Sequence, residues 1–483
     1  MKLSMKNILI ILILIPCISF SQSWEWTKKY GGSSFDYGKA ICTDNFGNCY
    51  AAVDSLTVAQ ILKFNSSGIL VWKVSLWLGK VKTIVSDNDE FIYVAGDSSN
   101  QSLVAKYDTS GVLIWKINAG AGTCNGMTLD NSGHLFLTGN NSFLKKYDTL
   151  GNQIWTANVI GATGNSICTD NIGNCYITGK FLGTALFGTQ NVTSLGGYDI
   201  FLSKYDSTGN CIWVKRAGGK FSGGYSNDCG YAVTKDNLGN LYFTGSIVDT
   251  VDFDSYTFIA SSNDIFLAKY DNSGNSIWVK QATGFHDQEG RCINIDNVGN
   301  IIIGGSYIPS VNFENITLTG WGSGHYDAFI AKYDNNGNLI NLLKGGGSEY
   351  NETLNGISID NLGNTFVIGS YSSTAYFGPD TLTNLLSDIF ISKVSLKTSI
   401  EEMENKLKVI NIYPNPFQNE LNISIYDSGK SHVILYDLTS REIYQQEFEK
   451  ETIINTEQFA SGIYLYKIQN ENGHRKSGKI IRR

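Results

Sequence analysis

The side chains best suited to acid–base chemistry in this chain stand together at His286, Asp287 and Glu289, with Arg291 two residues on. Paired carboxylates can cleave glycosidic bonds, so this group is compatible with a polysaccharide lyase or glycosidase. The chain has only five histidines, and two of them, His432 and His474, lie near its C-terminus. No Gly-x-Ser-x-Gly elbow or His-Glu-x-x-His helix is present. A lone cluster of this kind on a surface loop is usually solvated rather than catalytic. No residue is therefore assigned a catalytic role, and binding stands ahead of catalysis.

Similar variable segments carry Asp36 and Tyr37, Tyr225 and Asp228, and Glu349, Tyr350 and Glu352. With His286, Asp287 and Glu289 they make a candidate ligand site. Its carboxylates would meet polar or cationic groups, and its tyrosines would stack on sugar or peptide. A rival reading rests on spacing. Asp36, Asp228 and Glu352 each precede a repeated aspartate by eight residues. A residue recurring at one repeat position often bonds loop backbone or the neighbouring repeat. No cofactor or metal is implied. Calcium at the repeated turns, or at a carboxylate cluster, is the one alternative, and the turns lack the alternating acids of an EF-hand.

The elements that must position these residues are built on one turn. Asp-Asn-x-Gly-Asn occurs at Asp44–Asn48, Asp170–Asn174, Asp236–Asn240, Asp296–Asn300 and Asp360–Asn364, with degenerate copies at Asp87–Phe91 and Asp130–His134. Asp at the start and Gly three residues later predict a hairpin loop with Gly in the left-handed region. A second phrase, Lys-Tyr-Asp-x-x-Gly followed by Ile-Trp, stands at Lys106–Trp115, Lys146–Trp155, Lys204–Trp213 and Lys269–Trp278, and looser copies begin at Lys63, Lys332 and Lys393. Each unit thus holds four antiparallel strands. The last copy lacks its outer strand, and Trp24–Tyr30 resembles the missing piece, with Trp26 in the place of Trp278. The four later units carry about fifteen extra residues each, read as an added hairpin between the second and third strands. Both kinds of tight turn fall on one rim. The variable segments named above fall on the other, which is the expected working face.

This pattern, over residues 24–396, resembles the bacterial seven-bladed β-propeller repeat family. The resemblance implies an all-β, extracytoplasmic fold: a seven-bladed β-propeller over residues 22–396, closed by its N-terminal strand and followed by a small C-terminal β-sandwich. It brings no agreed catalytic residues.

Composition agrees with a turn-rich β protein: 483 residues, 12% aromatic, 17% charged, with 51 Gly against 5 Pro. A net charge of −7 argues against nucleic acid as a partner. Residues 1–21 read as a signal peptide, with Lys2 and Lys6 before the apolar run Ile8–Ile15. Pro16 disfavours a lipoprotein signal at Cys17, and no later stretch is apolar enough to span a membrane. Cys42 and Cys49 flank the first turn as Cys168 and Cys175 flank the fourth. They could be cross-hairpin disulfides or buried thiols. The hairpin register sets Cys42 opposite Tyr50 and points the two sulfurs to opposite faces.

After a polar linker over residues 397–408, residues 409–483 alternate as short strands. They open on Tyr413-Pro414-Asn415-Pro416-Phe417 and continue through Gly462, Tyr464 and the basic Lys479. This segment resembles the type A C-terminal sorting domain of the type IX secretion system. The resemblance implies a Bacteroidota-type host and the type IX machinery as a partner. It also implies a secreted or surface location reached through the periplasm. The function expected from the whole chain is binding or adhesion to a glycan or a surface protein. A carbohydrate-active enzyme or a purely structural surface protein is the alternative.

Overall fold

The computed structural model describes residues 23–482 except 33, 57, 88–89, 141–143, 221–226, 323, 397–409, 426–429, 438–440 and 471–474. The expected signal peptide, the linker and the candidate Tyr225 lie outside the described residues. The chain divides into two compact units, Gln22–Leu396 and Lys397–Arg483.

The expectation of one closed seven-bladed disc is corrected, while the fold is all-β. Hydrogen bonding divides the described residues among nine separate, small antiparallel sheets, and none is closed on itself. The physical reason lies in the repeat. Each four-strand ladder forms its own sheet, and one sheet meets the next largely through side chains, with backbone pairing between repeats confined to short stretches such as Gly284 with Val311 and Gly346 with Tyr376.

Seven of the nine sheets belong to Gln22–Leu396. They are called sheets one to seven, in the order of their first strands: Asp36–Thr43, Lys80–Ser86, Cys124–Leu129, Val159–Thr169, Cys229–Lys235, Glu289–Ile295 and Thr353–Ile359. Each first strand packs on that of the following sheet, and Thr353–Ile359 packs on Asp36–Thr43. The N-terminal strand Ser23–Tyr30 completes sheet seven by pairing with Asp380–Ser395. Trp26 lies opposite Lys393 there, as Trp278 lies opposite Lys269 in sheet five. The extra residues of the later repeats form hairpins, as at Phe253–Tyr256 and Phe377–Asp380. The hairpin of Ser310–Phe313 and Ile316–Thr319 adds to the outer strand of sheet five.

The repeated turn has the predicted form. Asp44 N donates to Asn48 O at 3.1 Å, and Gly47, at φ 77°, donates to Asp44 O at 3.3 Å. The Asp44 carboxylate then accepts four hydrogen bonds, from Phe46 N, Asn48 N, Asn48 Nδ2 and Tyr50 OH, at 2.7–3.0 Å. Asp170 and Asp236 repeat this arrangement with Tyr176 and Tyr242. The oxygens that a calcium ion would need are thus taken by the turn itself.

An outer tryptophan ties six of the seven sheets to the next; in sheet six Asn341 holds its place opposite Lys332. Trp72 Nε1 donates to Thr109 O of sheet two, Trp115 to Thr149 O of sheet three and Trp155 to Ser207 O of sheet four, at 3.0–3.2 Å. Trp213, Trp278 and Trp26 do the same to Asn272, Asn335 and Ser66. Second strands such as Cys49–Ser55 and Ile301–Tyr307 are buried on both faces, because sheets cover them from either side. All eight cysteines among the described residues are free thiols. The pairs Cys42–Tyr50 and Thr43–Cys49 confirm the register that separates Cys42 from Cys49.

In Lys397–Arg483 the strands Ile410–Tyr413, Glu420–Ile425 and Glu451–Asn455 form one sheet and four further strands form another. The two share a core of Phe417, Leu421, Val433, Ile454, Tyr464 and Ile480. The opening motif is pinned to the last strand. Asn415 Oδ1 accepts Ile481 N at 2.9 Å, and Phe417 N donates to Ile481 O at 2.8 Å. Tyr413 and Lys479 are exposed, and Gly462 begins the strand carrying Tyr464, whose hydroxyl donates to Ala460 O.

If the tryptophan latch carries the sheet-to-sheet contact, Trp155→Phe keeps most of the ring and loses the bond to Ser207. The unfolding free energy should then fall by about 1–2 kcal/mol. Urea unfolding followed by circular dichroism reads this, and an unchanged midpoint contradicts it.

Candidate functional site

The first strand of each of sheets one to seven carries a β-bulge at the same place. The register slips between Gly38 and Ala40, Val81 and Thr83, Cys124 and Gly126, and Gly164 and Ser166. It slips again between Gly230 and Ala232, Gly290 and Cys292, and Leu354 and Gly356. The skipped residues are Lys39, Lys82, Asn125, Asn165, Tyr231, Arg291 and Asn355, each five positions before its turn Asp. A bulge re-aims its extra side chain. All seven of these residues line one cavity of about 540 Å³. Glycine beside the bulge admits the neighbouring sheet: a Cβ at Gly230 would lie 2.2 Å from Thr178 Oγ1, and one at Gly290 would lie 2.3 Å from Thr244 Oγ1.

The floor of the cavity is apolar. Ile41, Ile84, Met127, Ile167, Val233, Ile293 and Ile357, each three residues before a turn Asp, line both this cavity and a second one of about 610 Å³ beyond it. The second cavity is bordered by the tight turns and carries Asp87 and Asp130. Asp130 is engaged by His134 at 3.0 Å and Lys146 at 3.5 Å.

The bulge residues divide by role. Asn125, Asn165 and Asn355 each donate through Nδ2 to a backbone oxygen of the following sheet: Gly164, Gly230 and Gly38, at 2.8–3.1 Å. Lys39, Lys82, Tyr231 and Arg291 replace that clamp. Arg291 is held by Glu289 at 2.5 Å and by Asn355 Oδ1 at 3.2 Å, and Tyr231 OH donates to Glu289 Oε1 at 3.2 Å. Lys39 lies over the Tyr37 ring, 5.0 Å from its centroid. Burial holds the Lys39 ammonium below its usual range, and the nearby cations Lys82, Lys80 and Arg291 add to this against the pull of Asp54.

The sequence-derived site residues are not brought together. Glu289 lines the cavity, and Tyr37 reaches its edge through Lys39. Asp287 is taken up by Asn263 Nδ2 at 2.8 Å and Tyr326 OH at 3.3 Å. His286 and Tyr350 are exposed, and Glu349 accepts a hydrogen bond from Ser373. Asp36, Asp228 and Glu352 are buried and bond backbone: Gly32 N, Val248 N and Gly347 N, at 2.8–3.0 Å. Gln288 holds the same position in sheet six and donates to Ile308 O. The bulge residues were missed because they lie within strands. Their signal in the sequence is a varying residue beside a glycine, five positions before the turn.

Each of those buried acids lies near a second carboxylate on a third strand. Asp228 faces Asp199, Glu352 faces Asp327 and Asp36 faces Asp388. Burial, with the neighbouring charge added, pushes Asp228 and Glu352 each up to about 8. Asp228 Oδ2 and Asp327 Oδ1 have no hydrogen-bond partner among the described residues. Among those residues no group of three or more His, Cys, Asp or Glu is placed to hold a metal ion.

Residues 411–483 match the family model of the secretion system C-terminal sorting domain. An uncharacterized WD repeat-containing protein of Acanthamoeba polyphaga mimivirus is 25% identical over 176 residues, 34% of this chain and 12% of that protein. An endo-acting ulvan lyase of Formosa agariphila is 28% identical over 85 residues, 17% of this chain and 16% of that protein. The aligned segments thus span 12% and 16% of the length of these relatives. The chain is exported by the type IX secretion system through its C-terminal domain, to the cell surface or beyond. No helix among the described residues is long and apolar enough to cross a membrane. The remainder is an all-β, repeat-like architecture consistent with a propeller-type surface protein.

The buried acids set a pH dependence. A carboxyl whose folded pKa is raised binds its proton more tightly in the native state. Its stabilising contribution is full below the unfolded pKa near 4 and is lost as pH rises through about 8. The thermal midpoint should therefore fall between pH 5 and 8.5. The Asp228→Asn, Glu352→Gln variant should flatten that fall and melt higher at pH 8, by about 1–2 °C per kcal/mol recovered. Parallel curves for the two proteins contradict this.

Proposed function

We propose that this chain is a binding protein of the bacterial surface, in a Bacteroidota-type host, and that it takes a glycan or the exposed part of another surface protein at the bulge cavity. The observation that carries the reading is the contrast within the repeat. Turn, latch and apolar floor recur from sheet to sheet. The bulge position alone gathers lysine, arginine, tyrosine and asparagine around one ligand-sized space. Pockets of this volume with a few convergent polar groups are the usual form of small-ligand sites, and a rigid scaffold with one varying position suits recognition.

A carbohydrate-active enzyme is the second reading, supported by the name of the Formosa agariphila relative and by Glu289 in the cavity. It is weaker, because Asp287 and Glu289 are engaged by different partners and His286 stands apart in the solvent.

The mature protein, applied to an array of bacterial and algal glycans, should bind a restricted set without releasing product. Tyr231→Ala should abolish most of that binding. Product release from a polysaccharide, lost on changing Glu289 but not Tyr231, would favour the enzyme. Absence of binding to glycans and to whole cells alike contradicts the proposal.

A further inference from the structure

The cavity is not electrically neutral, although the chain as a whole carries −7. Its charged lining consists of three cations, Lys39, Lys82 and Arg291, and one carboxylate, Glu289. The cations stand side by side. Arg291 belongs to sheet six, Lys39 to sheet one and Lys82 to sheet two, with Asn355 of sheet seven between the first two. Glu289 is committed to Arg291 and Tyr231. Asp54, the nearest other carboxylate to Lys39, is buried and spends Oδ1 on Val81 N at 2.7 Å. Three cations thus gather in a partly enclosed space with a single carboxylate in its lining, an arrangement that attracts an anion from outside. In the same cavity Thr83 and Ser166 offer hydroxyls, and Asn125 and Asn165, whose Nδ2 groups clamp the following sheet, offer amide oxygens, groups that bond sugar hydroxyls rather than apolar side chains.

We propose that the bulge cavity binds an acidic oligosaccharide, with Lys39, Lys82 and Arg291 receiving its carboxylate or sulfate groups and the neighbouring amides and hydroxyls its ring hydroxyls. This inference rests on the reading of the cavity as a binding site and adds the class of ligand. Arg291, oriented by Glu289 and Asn355, presents planar donors suited to a carboxylate or sulfate, while the lysines act as mobile point charges. The second cavity, with Asp87 and Asp130, would repel the same ligand, so one mouth alone should take it.

The test is titration calorimetry on the mature full-length protein. The probes are an oligogalacturonate, a sulfated galactan oligosaccharide, a neutral galactan oligosaccharide of equal length, inorganic sulfate and a polyglutamate peptide. The acidic oligosaccharides should bind at least about tenfold more tightly than the neutral one and weaken as salt rises. Lys39→Ala with Lys82→Ala should cost about tenfold or more. Lys82→Met alone, a milder change should the double variant unfold, should cost less, and Lys28→Ala on the exposed N-terminal strand nothing. Thermal midpoints check that each variant is folded. Equal affinity for neutral and acidic oligosaccharides, unmoved by the lysine changes, overturns this inference and leaves the binding function standing. Sulfate or polyglutamate binding as tightly as the acidic oligosaccharides also overturns it. Failure of every probe, together with no binding on the array, removes both.

Discussion

One carboxylate per hairpin holds the register on which everything else depends. In Asp44 it accepts two backbone N–H groups, an amide and a tyrosine hydroxyl, so the turn cannot slip without leaving several buried groups unpaired. Because strand side chains alternate strictly, a slip of one residue would turn every side chain to the opposite face. Fixing the turn therefore fixes which residue lies three positions upstream, on the apolar floor, and which lies five upstream, on the bulge. The same carboxylate geometry recurs in the Lys-Tyr-Asp turns, as at Asp206, whose neighbour Ser207 offers its carbonyl to Trp155.

Scaffold and site are thus separated along a single strand. The floor positions hold Ile, Val or Met, and they close the space between two cavities of opposite charge character. The bulge positions are released from ladder pairing, so their side chains can change without weakening the sheet. At three of these positions asparagine clamps the following sheet, as Asn165 does at Gly230. Where lysine, arginine or tyrosine stands instead, the asparagine-to-backbone clamp is absent: Tyr231 and Arg291 reach side chains of the following sheet, Glu289 and Asn355, and with Lys39 and Lys82 they mark one arc of the cavity.

The scaffold was largely legible in the sequence because it is written repeatedly. The Asp turns, the four-strand unit, the pairing of Trp26 opposite Lys393 and the added hairpins all follow from pattern and turn chemistry. Continuity between units was not legible. The described residues form nine separate sheets, and backbone pairing passes from one repeat to the next at short stretches such as Gly284 with Val311. The sequence drew attention to the variable segments rather than to the bulges for a physical reason. Acidic residues in variable segments were weighed as ligands, yet Asp36, Asp228 and Glu352 recur at one position, and recurrence there meant backbone support. The bulge leaves only a flanking glycine as its trace, and at Lys82 not even that.

The central claim is that ligand is met by the bulge residues, and chemical labelling of lysines tests it most directly. The mature protein is labelled with an amine-reactive reagent, with and without a bound acidic glycan, and each lysine is read by mass spectrometry. The account predicts protection confined to Lys39 and Lys82, with Lys28 and Lys73 on outer strands unchanged. Unaltered reactivity at Lys39 and Lys82 under saturating ligand, with protection elsewhere, would contradict it.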